Sequence, residues 1–181
     1  IARREDGISI SMRRERIGRC DLSKHVVSSK ASEVWIALDP RSRDYVTLKV
    51  FYTTIKADSD AMLQFRQYIE RVAALKHPNI VSIRDMLVFP SNDPASSIAS
   101  MICIVMDYVE GQTLADYIQH TKNVSKIRPG VDMVHLFTSL SRAIDYAHQQ
   151  GVILGNLNPA SILLRQNATA SGQMGEPLLI D

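Results

Sequence analysis

The sequence predicts an α+β fold in two parts, strands around one helix in the first half and helices followed by a β hairpin in the second. Three observations carry this. β-Branched and aromatic runs, separated by turn-forming clusters, occupy the first hundred residues apart from one helical interruption. The segment from Asp132 to Gln150 repeats its apolar residues at three- and four-residue steps. The 181 residues contain no internal repeat or low-complexity tract, and 45% of them are hydrophobic, enough to fill one sizeable core or two small ones.

Each element follows in order. Val26 to Ala37 and Tyr45 to Tyr52 read as strands of an antiparallel hairpin, because Asp39-Pro-Arg-Ser-Arg-Asp44 between them is rich in turn formers. Asp58 to Lys76 reads as an amphipathic helix, with Met62, Phe65, Ile69, Val72 and Ala73 on one face. Asp58 or Ser59 caps it and His77-Pro78 ends it. Two strands follow, Ile80 to Pro90 and Ile98 to Tyr108, joined by the polar turn Ser91 to Ser97. Ile102-Cys-Ile-Val-Met106 is apolar throughout and is expected to be buried on both faces. Thr113 caps a short helix to about His120. The longest helix, Asp132 to Gln150, is expected to bury Met133, Phe137, Leu140, Ile144 and Ala147, with Gly151 as terminator. Leu178 to Asp181 is a last strand, reached through the polar turn Arg165 to Pro177.

Composition narrows the function classes. A net charge of +2 with dispersed basic residues gives no electrostatic case for nucleic acid. The one basic cluster, Met12-Arg-Arg-Glu-Arg16, reads as a solvated tail. No apolar run approaches the ~20 residues that span a bilayer, and no secretory signal is visible. Cys20 and Cys103 lie in apolar strands and read as small core residues of a reducing compartment. Histidines 25, 77, 120, 135 and 148 lack metal-ligand spacing. Asn123-Val-Ser and Asn167-Ala-Thr are glycosylation sites only in a secreted chain.

Specific words in the sequence add a resemblance. Ile17-Gly-Arg19, Val46-Thr-Leu-Lys49, His77-Pro-Asn-Ile-Val81, Ile104-Val-Met-Asp-Tyr-Val-Glu-Gly111, Gly151 to Leu164 and Leu179-Ile-Asp181 occur in the order of the protein kinase motifs. The chain thus resembles the protein kinase family, particularly bacterial Ser/Thr kinases. The resemblance implies a two-lobe fold, with a tail at residues 1–16 and a five-stranded antiparallel N-lobe with one helix at 17–108. The hinge and first part of a truncated, mainly helical C-lobe then occupy 109–181. It also implies a nucleotide site at Lys49, Asp181, Val34, Thr47 and Leu163, with Met106 as gatekeeper and hinge backbone at Asp107 and Val109.

The catalytic positions depart from the family pattern. Asn156 stands where the resemblance places the proton-accepting Asp, Asn158 where it places Lys, and Ser161 where it places the metal-binding Asn. A carboxamide is no base near neutral pH. Gly155 replaces an Arg, and Thr47 narrows the adenine slot where Ala is usual. Val27, Ser29 and Ser32 occupy the three glycine positions of the phosphate loop, with Lys30 at its tip. Tyr68 occupies the position of the glutamate that pairs with Lys49, unless a two-residue gap brings Glu70 into play. These departures predict a catalytically inactive pseudokinase that acts as a protein-interaction or regulatory module. The alternatives are a nucleotide sensor and an atypical Ser/Thr kinase with residual activity. No cofactor is required in this reading, ATP binds weakly, and there is no metal. A protein partner or second copy docks, the first helix and its neighbouring strands being the expected surface. The setting is cytoplasmic, including the cytosolic part of a longer, tethered protein. A truncated lower lobe is expected to expose the apolar side of helix 132–150.

Overall fold

A computed structural model describes residues 15–29, 32–91, 93, 95–122, 131–166 and 175–180. Lys30, Asp181, both sequons and most of the 165–177 turn lie outside them. The strands β1 (Arg16–Ile17), β2 (Cys20–Ser28), β3 (Ser32–Asp39), β4 (Asp44–Thr53), β5 (Ile83–Pro90) and β6 (Ser100–Asp107) form an antiparallel sheet in the order β1-β2-β3-β4-β6-β5. Helix α1 (Asp60–Ala73) interrupts them in sequence, with Ser59 as N-cap accepting from the Met62 amide. The second part holds β7 (Gly111–Thr113), α2 (Leu114–Lys122), α3 (Val131–Gln149), a 3-10 turn at Pro159–Ser161, β8 (Ile162–Arg165) and β9 (Glu176–Leu179). Its strands pair in the order β7-β8-β9. Among the described residues no helix is long and apolar enough to cross a membrane.

The structure alters the expected layout in three places. Propensity alone reads Val26 to Ala37 as one strand, but the structure has two, β2 and β3, closed by Ser29 and Ser32 where the resemblance puts the 27–32 loop. The Ser29 amide donates to the Ser32 carbonyl at 2.8 Å, and the two hydroxyls lie 2.9 Å apart. Short hydroxyl side chains bond local backbone and so make a turn inside an otherwise β-forming run. The sheet gains a sixth strand, β1, because Gly18 at φ 57° reverses the chain there. The positive φ favours glycine, and a Cβ there would also press on Leu87 Cδ1 at 2.7 Å, which would have to turn aside. In α3 the buried stripe is Leu136, Leu140, Ala143 and Ala147, whereas Phe137 is 60% exposed. Both stripes obey the helical period, which identifies an apolar face but not which of two overlapping faces meets the core.

Alternation along β4 and β6 builds two cores back to back. Val46, Leu48, Val50, Cys103 and Val105 point to one face, with Cys20 and Ala37. Ile102, Ile104 and Met106 point to the other, against Met62 and Ile69 of α1. Residues 102–106 are therefore buried on both faces, as their uninterrupted apolar character predicts. A third core joins α3 to Val152, Ile162, Leu164 and Leu179, and draws in Leu75 and Ile80 from the segment after α1.

That segment staples the two parts together. The Val81 amide donates to the Leu179 carbonyl and the Leu179 amide to the Asn79 carbonyl, both at 2.8 Å. Asn79 Nδ2 donates to the Pro177 carbonyl at 2.7 Å, and the Lys76 amide to the Tyr146 hydroxyl at 3.0 Å. Any site between the parts is thus bounded by a fixed edge.

Candidate functional site

Strand register assembles the upper wall of a cleft. Residues paired across an antiparallel ladder share a face. Ile36, Thr47 and Met106 form one cross-strand row, and Val34, Lys49 and Ile104 form the next. Lys49 thus stands between two branched apolar side chains, with its ammonium 5.2 Å from the Phe51 ring centroid. Burial pushes its pKa below the ordinary lysine range.

Behind these rows, between the sheet and α1, lies a cavity of about 190 Å³. Lys49, Phe65, Tyr68, Met106, Leu154 and Ile180 are among its lining residues. Val34, Thr47, Asp107, Val109 and Leu163 do not line it. Val34 and Thr47 share the Lys49 face of the sheet, and Asp107 and Val109 follow Met106 at the edge. The Asp107 amide is taken by the Ser82 carbonyl at 3.0 Å and its carboxylate by Arg84. Leu163 is half-buried on β8, between Ile162 and Leu164, which face the lower core. The structure therefore brings Lys49 and Met106 to the cavity and leaves Val34, Thr47, Asp107, Val109 and Leu163 out of its lining, while Asp181 lies outside the described residues.

Tyr68 and not Glu70 shares the cavity with Lys49. Glu70 lies about 200° further round the helix and is exposed. The Tyr68 hydroxyl donates to the Ile153 carbonyl at 3.0 Å. Nothing in the sequence signals that contact, because its acceptor is a backbone carbonyl 85 positions away.

The segment 151–161 brings Asn156, Asn158 and Ser161 together. Gly151, at φ 72°, ends α3. Asn158 Oδ1 accepts from the amides of Ala160 at 2.8 Å and Ser161 at 3.2 Å. Ser161 Oγ accepts from the Asn158 amide at 2.9 Å and lies 2.7 Å from the Asn158 carbonyl, to which it donates. The Asn156 carbonyl accepts from Asn158 Nδ2 at 3.1 Å. The pair forms a reciprocal cap on the 3-10 turn, and Ser161 is only 3% exposed. A hydroxyl committed in this way does not fit the role of a metal ligand. Among the described residues no cluster of three or more His, Cys, Asp or Glu is placed to hold a cation. Asn156 itself is exposed.

Comparison with known proteins extends this geometry. Residues 23–173 match the protein kinase domain family. The chain is 32% identical over 133 residues to the serine/threonine-protein kinase PknB of Mycobacterium leprae, which covers 74% of this chain and 20% of that protein. It is 29% identical over 149 residues to the probable serine/threonine-protein kinase PknB of Bifidobacterium longum, covering 82% and 21%. The crystal structure of the M. tuberculosis PknI kinase domain superposes with a TM-score of 0.68 at 23% identity, over 90% of this chain and 57% of that one. That likeness concerns the fold. The chain spans about a fifth of the length of these curated relatives.

These relatives correct the expectation, drawn from Asn156, Asn158 and Ser161, that the chain is no enzyme. Proteins aligned over 74% and 82% of it are named serine/threonine-protein kinases. That expectation gave the missing base too much weight. A loose phosphoryl-transfer transition state depends mainly on positioning and on offsetting charge. A general base contributes about 10²–10⁴ to accelerations of roughly 10⁶–10¹⁷. By its strand order, its Lys49 row and the match over residues 23–173, the chain belongs to the protein kinase domain family.

Proposed function

We propose that the cleft binds ATP and serves phosphoryl transfer to serine or threonine hydroxyls, as an atypical kinase in which positioning carries the reaction. The observation that carries this is the Lys49 row. Lys49, partly desolvated, shares a cross-strand row with Val34 and Ile104, one row from Thr47 and Met106, and lines the cavity with Met106. Desolvation strengthens an ammonium's attraction for a polyphosphate. In this reading the apolar surfaces of Val34, Met106 and Leu163 hold the base, with Thr47 setting the width of the slot. The backbone at Asp107 and Val109 offers it hydrogen bonds, and residues 17–108 and 109–181 act as the two lobes.

ATP supplies the transferable phosphoryl group when bound, and the chain's own groups orient it. Lys49 offsets phosphate charge, and Asp181 follows the cavity-lining Ile180 in the chain. The capped turn holds Asn156 at an exposed position, where its amide can position the acceptor hydroxyl through hydrogen bonding. No step is routed through Ser161, whose hydroxyl is committed to the cap. A cytoplasmic setting, where ATP is at hand, belongs to this proposal. So does regulation through α1, on which Leu63 is 54% exposed and open to a protein partner.

Calorimetric titration with ATP, with and without Mg²⁺, tests the reading alongside transfer of labelled γ-phosphate to a serine-rich protein. Binding and slow transfer are expected, with Lys49→Met weakening binding at least tenfold. A flat titration to millimolar ATP sinks it.

A further inference from the structure

Tyr68 lies midway along α1 and faces the cleft, where it lines the cavity with Lys49 and Leu154. Its hydroxyl reaches across to the Ile153 carbonyl at 3.0 Å. The chain around that acceptor is held close by. Gly151 terminates α3 at φ 72°, the Val152 amide donates to the Ala147 carbonyl at 2.9 Å, and the Val152 side chain is buried. The next residue, Leu154, belongs to the cavity wall, and Asn156 follows two positions on. Helix α1 packs through Met62 and Ile69 against Ile102, Ile104 and Met106, and the Tyr68 ring rests on the same cluster. Apolar packing of this kind fixes a helix against a sheet but tolerates small slides along it. A directional hydrogen bond is less tolerant, and this one lies at the exposed end of the cavity, where Ile153 is 73% exposed but follows the buried Val152.

We infer that Tyr68 is a positioning residue, a phenol tie that sets α1 over Lys49 and holds Ile153 to Asn156 in register with the cleft. An ion pair between this helix position and Lys49 would couple the helix to the upper sheet. The phenol couples it instead to the segment that carries Asn156, so a movement of α1 is transmitted to the loop. The consequence for transfer rests on the ATP reading above; the tie itself does not.

Tyr68→Phe keeps the ring in the cavity and removes only the hydroxyl. Amide hydrogen exchange on the nucleotide-free full chain should then be about three- to tenfold faster over residues 152–157 and along α1, with β4 and β6 unchanged. Unchanged exchange over 152–157 overturns the inference. Acceleration throughout, β4 and β6 included, also overturns it, since it marks loss of the whole fold rather than of a tie. Where the wild type transfers phosphate, Tyr68→Phe should lower kcat at least threefold with KM for ATP within about twofold, unlike Lys49→Met. An unchanged kcat would assign the hydroxyl a structural part only and so overturn the positioning role. If the wild type binds no ATP, the nucleotide reading fails, and the exchange measurement alone still decides for or against the tie.

Discussion

At the scale of single residues, burial decides what each ionisable group can do. Cys103 is fully buried and its thiol is pushed up to about 12, while burial raises Cys20 as well. Both therefore act as small apolar core residues, as their strand context predicts. Lys49 moves the other way, its charged form disfavoured by burial. Between that lowered pKa and the ordinary lysine value, the unfolded chain binds more protons than the folded one. Stability should rise with pH across this window. Lys49→Met has nothing to titrate there, so wild type should gain on the variant as pH climbs through this window to 10.5. Urea midpoints measured over that range check this, and parallel profiles would show that Lys49 is not desolvated.

At the scale of elements, the segment 156–161 is a self-contained piece of hydrogen bonding. Asn158 satisfies two amides at the start of the 3-10 turn, and Ser161 returns the bond to the Asn158 amide. Asn158→Ala removes the cap and should cost about 1 kcal/mol in chemical denaturation. Asn158→Asp keeps the accepting oxygen and should cost less than half of that. Equal losses in the two variants would mean that capping is not what Asn158 contributes. The β2–β3 turn follows the same logic, with Ser29 and Ser32 closing by side-chain bonds a loop that glycines would leave loose.

At the scale of the whole molecule, the stretch after α1 is covalently part of the upper half and energetically part of the lower. Leu75 and Ile80 are buried in the α3 core, and Asn79 reaches the Pro177 carbonyl at 2.7 Å. Asn79→Ala leaves that carbonyl without its donor in a part-buried setting, at a cost of about 1–2 kcal/mol. The thermal midpoint should fall by several degrees in a single transition. Two resolved transitions in the variant, against one in the wild type, would mean that this bond alone couples the halves.

The order and kind of nearly every element can be read from the sequence, because periodicity and turn chemistry are local. The sequence also places Val34, Thr47 and Lys49 on the two strands of one hairpin, whose turn at residues 39–44 fixes their register, whereas Met106 meets Thr47 through a pairing of strands far apart in the chain. Strand propensity alone runs through the 29–32 turn, which the kinase resemblance marks as a loop and serine side-chain bonds close, and helical period alone does not show that Leu136 is buried while Phe137 is exposed. Packing between distant segments set which face of α3 met the core, turned the Ser161 hydroxyl back on its own loop, and brought Tyr68 to a carbonyl 85 residues away. A repeating pattern specifies that a face will be buried. What it is buried against depends on contacts between segments far apart in the chain, which have no local signature.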